Sequence, residues 1–206
     1  MRKQDGIIIS FIVLASILIH TPTKEEVNPG RVQKSNLINL DEIKTTIPEK
    51  DTLQTFFDNY QNDCQLYLDR ENFKGTPLSG ELLKECAKET YDSTGIIVPL
   101  ELALSQAQWE SGMGLKGRSP KNNPYNVGEW NTLNLTTMSF NSTKDGVQFY
   151  YNLMAKKYLS KKSVEDLLKN FVNNNGHRYA HSKTYEKNIS QQYYFIKRWI
   201  KKNKKV

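Results

Sequence analysis

An acid, Glu110, stands where an apolar, Ala-rich segment gives way to a Gly- and Asn-rich loop, within PLELALSQAQWESGMGLKGRSPKNNPYNVGEW from Pro99 to Trp130. Hydrolysing a glycosidic bond needs a carboxylic acid that is still protonated near neutral pH, to give a proton to the leaving oxygen. Two features favour that form at Glu110. Trp109 and Met113 supply apolar surroundings, and desolvation raises a carboxyl pKa. The residue also sits at the C-terminal end of an expected helix, whose partial negative charge disfavours another anion. The competing reading is an ordinary solvated residue at a helix end.

A two-acid mechanism asks for a second carboxylate, to activate water or to bond to the sugar. Glu129 is the best placed by sequence. Asp145 is the other candidate, but its place in the first turn of a helix already gives it a structural job beside the helix dipole. Sugar rings stack their C–H faces on aromatic side chains, and Trp109, Tyr125, Trp130, Tyr150, Tyr151 and Tyr179 are more than a core requires. Helical spacing nevertheless assigns Tyr150 and Tyr158 to the core. His177 and His181 stand four apart in HRYAH, but no Glu follows the first and no third ligand is obvious, so no metal is expected. No Gly-rich phosphate loop follows a strand and no Ser-His-Asp order stands out, and hydrolysis of a glycosidic bond by carboxyl groups is expected to need no cofactor.

The elements that must position these residues are mostly helical. In DTLQTFFDNYQNDCQLYLDR the positions Leu53, Phe56, Phe57, Tyr60, Cys64 and Leu68 recur at helical spacing behind Asp51 as a cap. SGELLKECAKETY opens on Ser79 and carries Leu82, Leu83, Cys86 and Tyr91 on one face. The segment from Pro99 to Glu110 is apolar on more than one side, as expected of a helix surrounded by others. Short β-prone pieces around Tyr125–Val127 and Thr136–Phe140 predict a small loop-and-hairpin lobe. Helices capped by Ser142 or Thr143 and by Ser163 follow. A last helix from about Thr184 to Lys201 carries Tyr185, Ile189, Tyr193, Ile196 and Ile200. The expected class is mainly α (α+β), with roughly six helices.

The 206 residues leave room for one domain and its attachments. Arg2 and Lys3 precede an uncharged run, Gly6–Ile19, of about 14 residues, which fits a signal-peptide core and is short for a membrane span. Residues 1–22 are therefore read as a signal peptide or N-terminal membrane anchor, 23–50 as a Pro-containing linker, and 51–203 as the domain. Export to the cell envelope, with possible membrane attachment, follows from that segment. Cys64 and Cys86 fit either one disulfide or two buried thiols. A net charge of +7 and a pI near 9.2 suit an anionic partner or plain solubility. Export and the lack of a nucleic-acid motif argue against nucleic acid.

The string A-Q-W-E-S-G-M-G, followed by K-N-N-P-Y-N-V-G and later by Tyr179-Ala180-His181-Ser182-Lys183-Thr184-Tyr185, resembles the glucosaminidase family of peptidoglycan hydrolases (glycoside hydrolase family seventy-three). The resemblance covers roughly Asp51 to Lys202. Aligning Gln108 with the family's Gln leaves the spacing to Glu110 short, whereas aligning Ala103 and Gln106 removes the gap. Asn126 stands where the family usually has Gly, and His181 where it has a small hydroxyl. The resemblance implies a lysozyme-like fold, Glu110 as general acid, Tyr179 as an aromatic beside the scissile sugar, and Asn123 and Tyr125 shaping the cleft floor. Tyr185 matches the motif but reads first as an anchor of the last helix. Trp109 and Trp130 complete the expected sugar-binding set, with Glu110, Glu129 and Tyr179 as the catalytic one. The expected substrate is the peptidoglycan glycan strand, cut by a monomer as an endo-β-N-acetylglucosaminidase. A muramidase, a lytic transglycosylase and a non-catalytic wall-binding module are the alternatives.

Overall fold

A computed structural model describes residues 50–116, 121–130 and 135–204, all within one compact unit, Thr46–Val206. The expected signal or anchor at 1–22 lies outside the described residues, as does the expected linker except for Lys50. Among the described residues no helix is long and apolar enough to cross a membrane.

The architecture is mainly helical. The helices are α1 (Lys50–Leu68), α2 (Gly80–Thr94), α3 (Leu100–Ser111), α4 (Thr143–Leu153), α5 (Val164–Lys169) and α6 (Tyr185–Asn203). A π-helical turn, Met154–Leu159, prolongs α4. Helix α1 already includes Lys50, so Asp51 lies in its first turn and is not its cap. Ser79, Ser142 and Ser163 cap α2, α4 and α5 by accepting the N–H of Leu82, Asp145 and Asp166. Asp145 completes a capping box, its carboxylate accepting the Ser142 N–H at 3.0 Å. Two three-residue strands, β1 (Gly128–Trp130) and β2 (Leu135–Thr137), pair antiparallel with Glu129 opposite Thr136. Strand β2 overlaps the β-prone piece expected at Thr136–Phe140, whereas β1 begins just after the one expected at Tyr125–Val127. Tyr125–Val127 is instead drawn into a loop by side-chain bonds.

Helix α1 packs on α2, α2 on α4, and α6 on both α3 and α5. Along α3 every residue from Leu102 to Ala107 is buried, polar Ser105 and Gln106 included. The predicted face of α6 (Tyr185, Ile189, Tyr193, Ile196, Ile200) is buried throughout. On α1 the face is rotated slightly from expectation. Phe56 is exposed and Tyr67 wholly buried, its hydroxyl donating to Gln108 Oε1 at 2.7 Å.

No disulfide joins Cys64 and Cys86; both thiols are free and buried. Burial pushes Cys64 well above the ordinary thiol range and Cys86 up to about 12, so both serve as small apolar side chains.

The loop before β1 meets α4 with no space between backbones. A Cβ on Gly146 would collide with the Asn122 carbonyl oxygen and sit 3.1 Å from the Phe140 ring. Gly146→Ala is therefore expected to lower stability by about 1–3 kcal/mol through overpacking. Urea unfolding of the purified protein checks this, and an unchanged midpoint would mean that the contact is slack.

Candidate active site

Glu110 is the penultimate residue of α3, which ends where Gly112 adopts φ +57 and bonds back to Gln108 O at 3.0 Å. Met113, at φ +64, reaches back to Ala107 O at 3.0 Å and is wholly buried. The partly exposed carboxyl of Glu110 accepts the Tyr185 hydroxyl at Oε1, 2.9 Å away. Its main-chain carbonyl accepts the Asn126 amide at 2.9 Å. Burial pushes the carboxyl above its ordinary value, while the Tyr185 hydroxyl and the neighbouring Asn126 amide pull it down. The helix C-terminus adds to the upward push.

Behind Tyr185 lies a line of buried polar groups. Gln106, one turn before Glu110, donates from Nε2 to the Tyr185 oxygen at 2.9 Å, and its Oε1 accepts the Tyr150 hydroxyl at 2.6 Å. Tyr185 thus joins α6 to two positions of α3, and Tyr150 adds α4. Tyr179 stacks on Tyr185, ring centroids 5.7 Å apart and planes at 19°, and donates its hydroxyl to Tyr125 O at 2.9 Å. The loop carrying Tyr179 is pinned to the start of α6 by Arg178, whose Nη2 meets both Glu186 oxygens at 2.6 and 2.8 Å. The helix end, the Asn-rich loop and the Tyr179–Tyr185 segment therefore converge on Glu110.

The expected site residues separate into groups. Glu110 and Tyr179 come together through Tyr185, and Trp109, the residue before Glu110 on α3, is 47 % exposed. Asn123 and Tyr125, expected in a cleft floor, are 1 % and 0 % exposed and offer a ligand no surface. Asn123 instead fastens the loop. Its amide donates to Val127 O and Met138 O, both at 2.7 Å, and its Oδ1 accepts the Val127 N–H at 3.0 Å. Tyr125 stacks flat on Tyr150 at 3.6 Å, and with Tyr151 also buried these rings belong to the core and not to a sugar platform. The side chains of Glu129 and Trp130 lie outside the described residues. Asp145 is committed to its capping box. Among the described residues no three His, Cys, Asp or Glu side chains converge as for a metal.

Gln106, Tyr150 and Asn126 are the site residues that motif reading passed over, and Tyr185 the one it undervalued. Gln106 had a signal in the sequence, as a carboxamide four residues before Glu110 on a helix expected to be enclosed by others. Asn126 had one too, since it occupies φ +49, where Gly or Asn fits best. A groove of about 750 Å³ lies apart from this constellation, between α5 and α6, with Lys169, Lys187 and Tyr194 on its walls. It includes none of Glu110's bonding partners, and its Glu186 is already paired with Arg178.

No protein-family model, no curated protein and no solved structure matches the chain in any of three comparisons.

The raised carboxyl has a thermodynamic signature. Folded Glu110 holds its proton more tightly than the unfolded chain, whose ordinary value is 4.5. The native state therefore binds more protons between the two values, and stability falls as pH rises through that window. Glu110→Gln keeps an acceptor for Tyr185 and removes the ionisation. Its melting temperature relative to the parent should rise across the window and level off above it. A difference that stays flat from about pH 4 to pH 8 would mean that the carboxyl titrates as a solvated one.

Proposed function

We propose that this protein is an exported peptidoglycan hydrolase with a lysozyme-like domain, cutting the glycan strand as an endo-β-N-acetylglucosaminidase. The observation that carries the proposal is the carboxyl of Glu110, partly exposed at a helix end and pushed toward its protonated form by burial among tyrosines. The resemblance of three ordered sequence blocks to the glucosaminidases supports it further, because those blocks meet at this carboxyl. The paired strands β1 and β2 stand for the small lobe of such a domain, and the segment before the linker for its export.

In this reading Glu110 gives its proton to the leaving glycosidic oxygen as the bond breaks and positive charge develops on the sugar. Trp109 offers an exposed ring for a sugar face. Tyr179 acts from behind, through Tyr185, and not by stacking on the substrate. Glu129 remains the proposed second carboxylate, and the 2-acetamido group of the substrate is the alternative source of assistance.

A lytic transglycosylase is the second reading. The commitment of Asp145 to the α4 cap favours it, because that removes one of two candidates for a second acid. Glu110→Gln should reduce release of soluble fragments from purified cell walls by about 10²–10⁴-fold, the usual worth of a general acid. Mass spectrometry of the wild-type digest should show N-acetylglucosamine reducing ends. Anhydromuramic ends would replace the hydrolase reading with the transglycosylase. Wall binding without turnover, indifferent to Glu110→Gln, would reduce the protein to a binding module.

A further inference from the structure

The line of polar groups behind Glu110 has a direction, and valence sets it. A tyrosine hydroxyl carries one proton, a carboxamide oxygen only accepts and its nitrogen only donates. The Tyr150 hydroxyl therefore donates to Gln106 Oε1 at 2.6 Å. Gln106 Nε2 is then turned toward the Tyr185 oxygen, 2.9 Å away. With its oxygen accepting from Gln106, Tyr185 directs its only proton to Glu110 Oε1 at 2.9 Å. Gln106, Tyr150 and Tyr185 are 0 %, 0 % and 2 % exposed, so bulk water does not compete for these bonds.

We propose that Gln106 is a positioning residue that fixes the direction of this relay, so that Glu110 accepts at Oε1 and carries its transferable proton on Oε2. The inference rests on the reading of Glu110 as the general acid. A proton on Oε1 would confront the Tyr185 oxygen and strand the Tyr185 proton in a buried site without an acceptor. Placing it on Oε2 satisfies every member of the line. Transfer to a glycosidic oxygen then breaks the Oε2–H bond and forms the new O–H bond. The resulting carboxylate is already hydrogen-bonded at Oε1, so no protein dipole has to turn during the step. The titratable groups facing the carboxyl are Tyr150 from α4, Tyr185 from α6 and Tyr179 from the preceding loop. Burial pushes all three phenols upward, so they stay neutral while Glu110 titrates.

The test reads the Glu110 carboxyl directly, by ¹³C NMR titration of the full-length protein, with Glu110→Gln assigning the resonance. Gln106→Glu preserves size but puts a second acceptor against Tyr185, turning that proton away from Glu110. Tyr150→Phe frees the amide of Gln106 to turn over, with the same consequence. In both variants the Glu110 ionisation constant should fall about tenfold, as for loss of one hydrogen bond to a charged acceptor. Unchanged midpoints in Tyr150→Phe, in protein that still unfolds cooperatively, would overturn the relay even if Gln106→Glu does not fold. Wall hydrolysis measured against pH separates this outcome from the parent reading. An alkaline limb that moves up with the NMR midpoint supports both. A midpoint that moves while the limb stays put supports the relay and removes Glu110 as the acid.

Discussion

Everything around Glu110 depends on one constraint, that α3 is enclosed by other helices and still carries polar side chains. A buried polar group left unpaired costs about 1–3 kcal/mol, so each must find a partner. Ser105 returns its hydroxyl to Leu102 O at 2.9 Å. Ser111 lies 2.6 Å from Pro124 O and accepts the Gly114 N–H at 2.7 Å, which ties the helix end to the loop beyond it. Gln106 has no backbone solution and needs hydroxyls from two other helices. Meeting that need fixes Tyr150 of α4 and Tyr185 of α6 relative to α3. The same Tyr185 hydroxyl then reaches Glu110, so a packing requirement and the orientation of the acid are met by one atom.

The loop before β1 obeys a similar rule with different chemistry. It has few apolar residues to bury, and asparagine amides hold it in place of packing. Asn122 sits at φ +60 and donates to Phe140 O and Asn141 O at 2.9 and 3.0 Å. Asn123 closes the turn on itself, and Asn126 reaches Glu110's own carbonyl. Asparagine suits these places twice over, since it tolerates left-handed backbone and its amide replaces main-chain partners. The apolar Tyr125 that the loop does carry is driven inward onto Tyr150, which is why it is not available to a ligand. Its hydroxyl is buried without a hydrogen-bond partner among the described residues.

Periodicity made the helical frame legible, because apolar spacing on α2, α3 and α6 reports directly which face is buried, and serine caps mark where helices begin. The acid was legible for a related reason, as an ionisable residue at a helix end beside a glycine break. The tyrosines were not. Sequence pattern treats an aromatic as a core filler or a sugar platform, and it cannot separate a ring packed through its face from one that also delivers its hydroxyl to a distant carboxylate. Tyr185 does both at a separation of 75 residues from Glu110, Tyr150 packs in the core and delivers its hydroxyl to Gln106, and Tyr125 and Tyr151 are core rings. The pairing of Cys64 and Cys86 was equally beyond reach, since it depends on how α1 and α2 are set against each other.

The electrostatic setting of Glu110 is more informative than its burial alone. The chain holds 29 Lys and Arg residues and a net charge of +7, so a cation beside a helix-end carboxylate would be unremarkable in it. A cation there would stabilise the ionised form and hold the carboxyl low. What faces Glu110 among the described residues is instead neutral, with Tyr185 and Asn126 as hydrogen-bond donors and the rings of Tyr150 and Tyr179 behind them. Arg178, next in sequence to Tyr179, is engaged with Glu186 at 2.6 Å. The carboxyl therefore keeps a modest pull toward ionisation from the Tyr185 hydroxyl and the neighbouring Asn126 amide, set against a larger push from desolvation. That balance lets it give up a proton without first losing a counter-ion. As pH rises past the ordinary carboxyl value that larger push costs the native state stability, because the folded carboxyl is harder to ionise than the unfolded one.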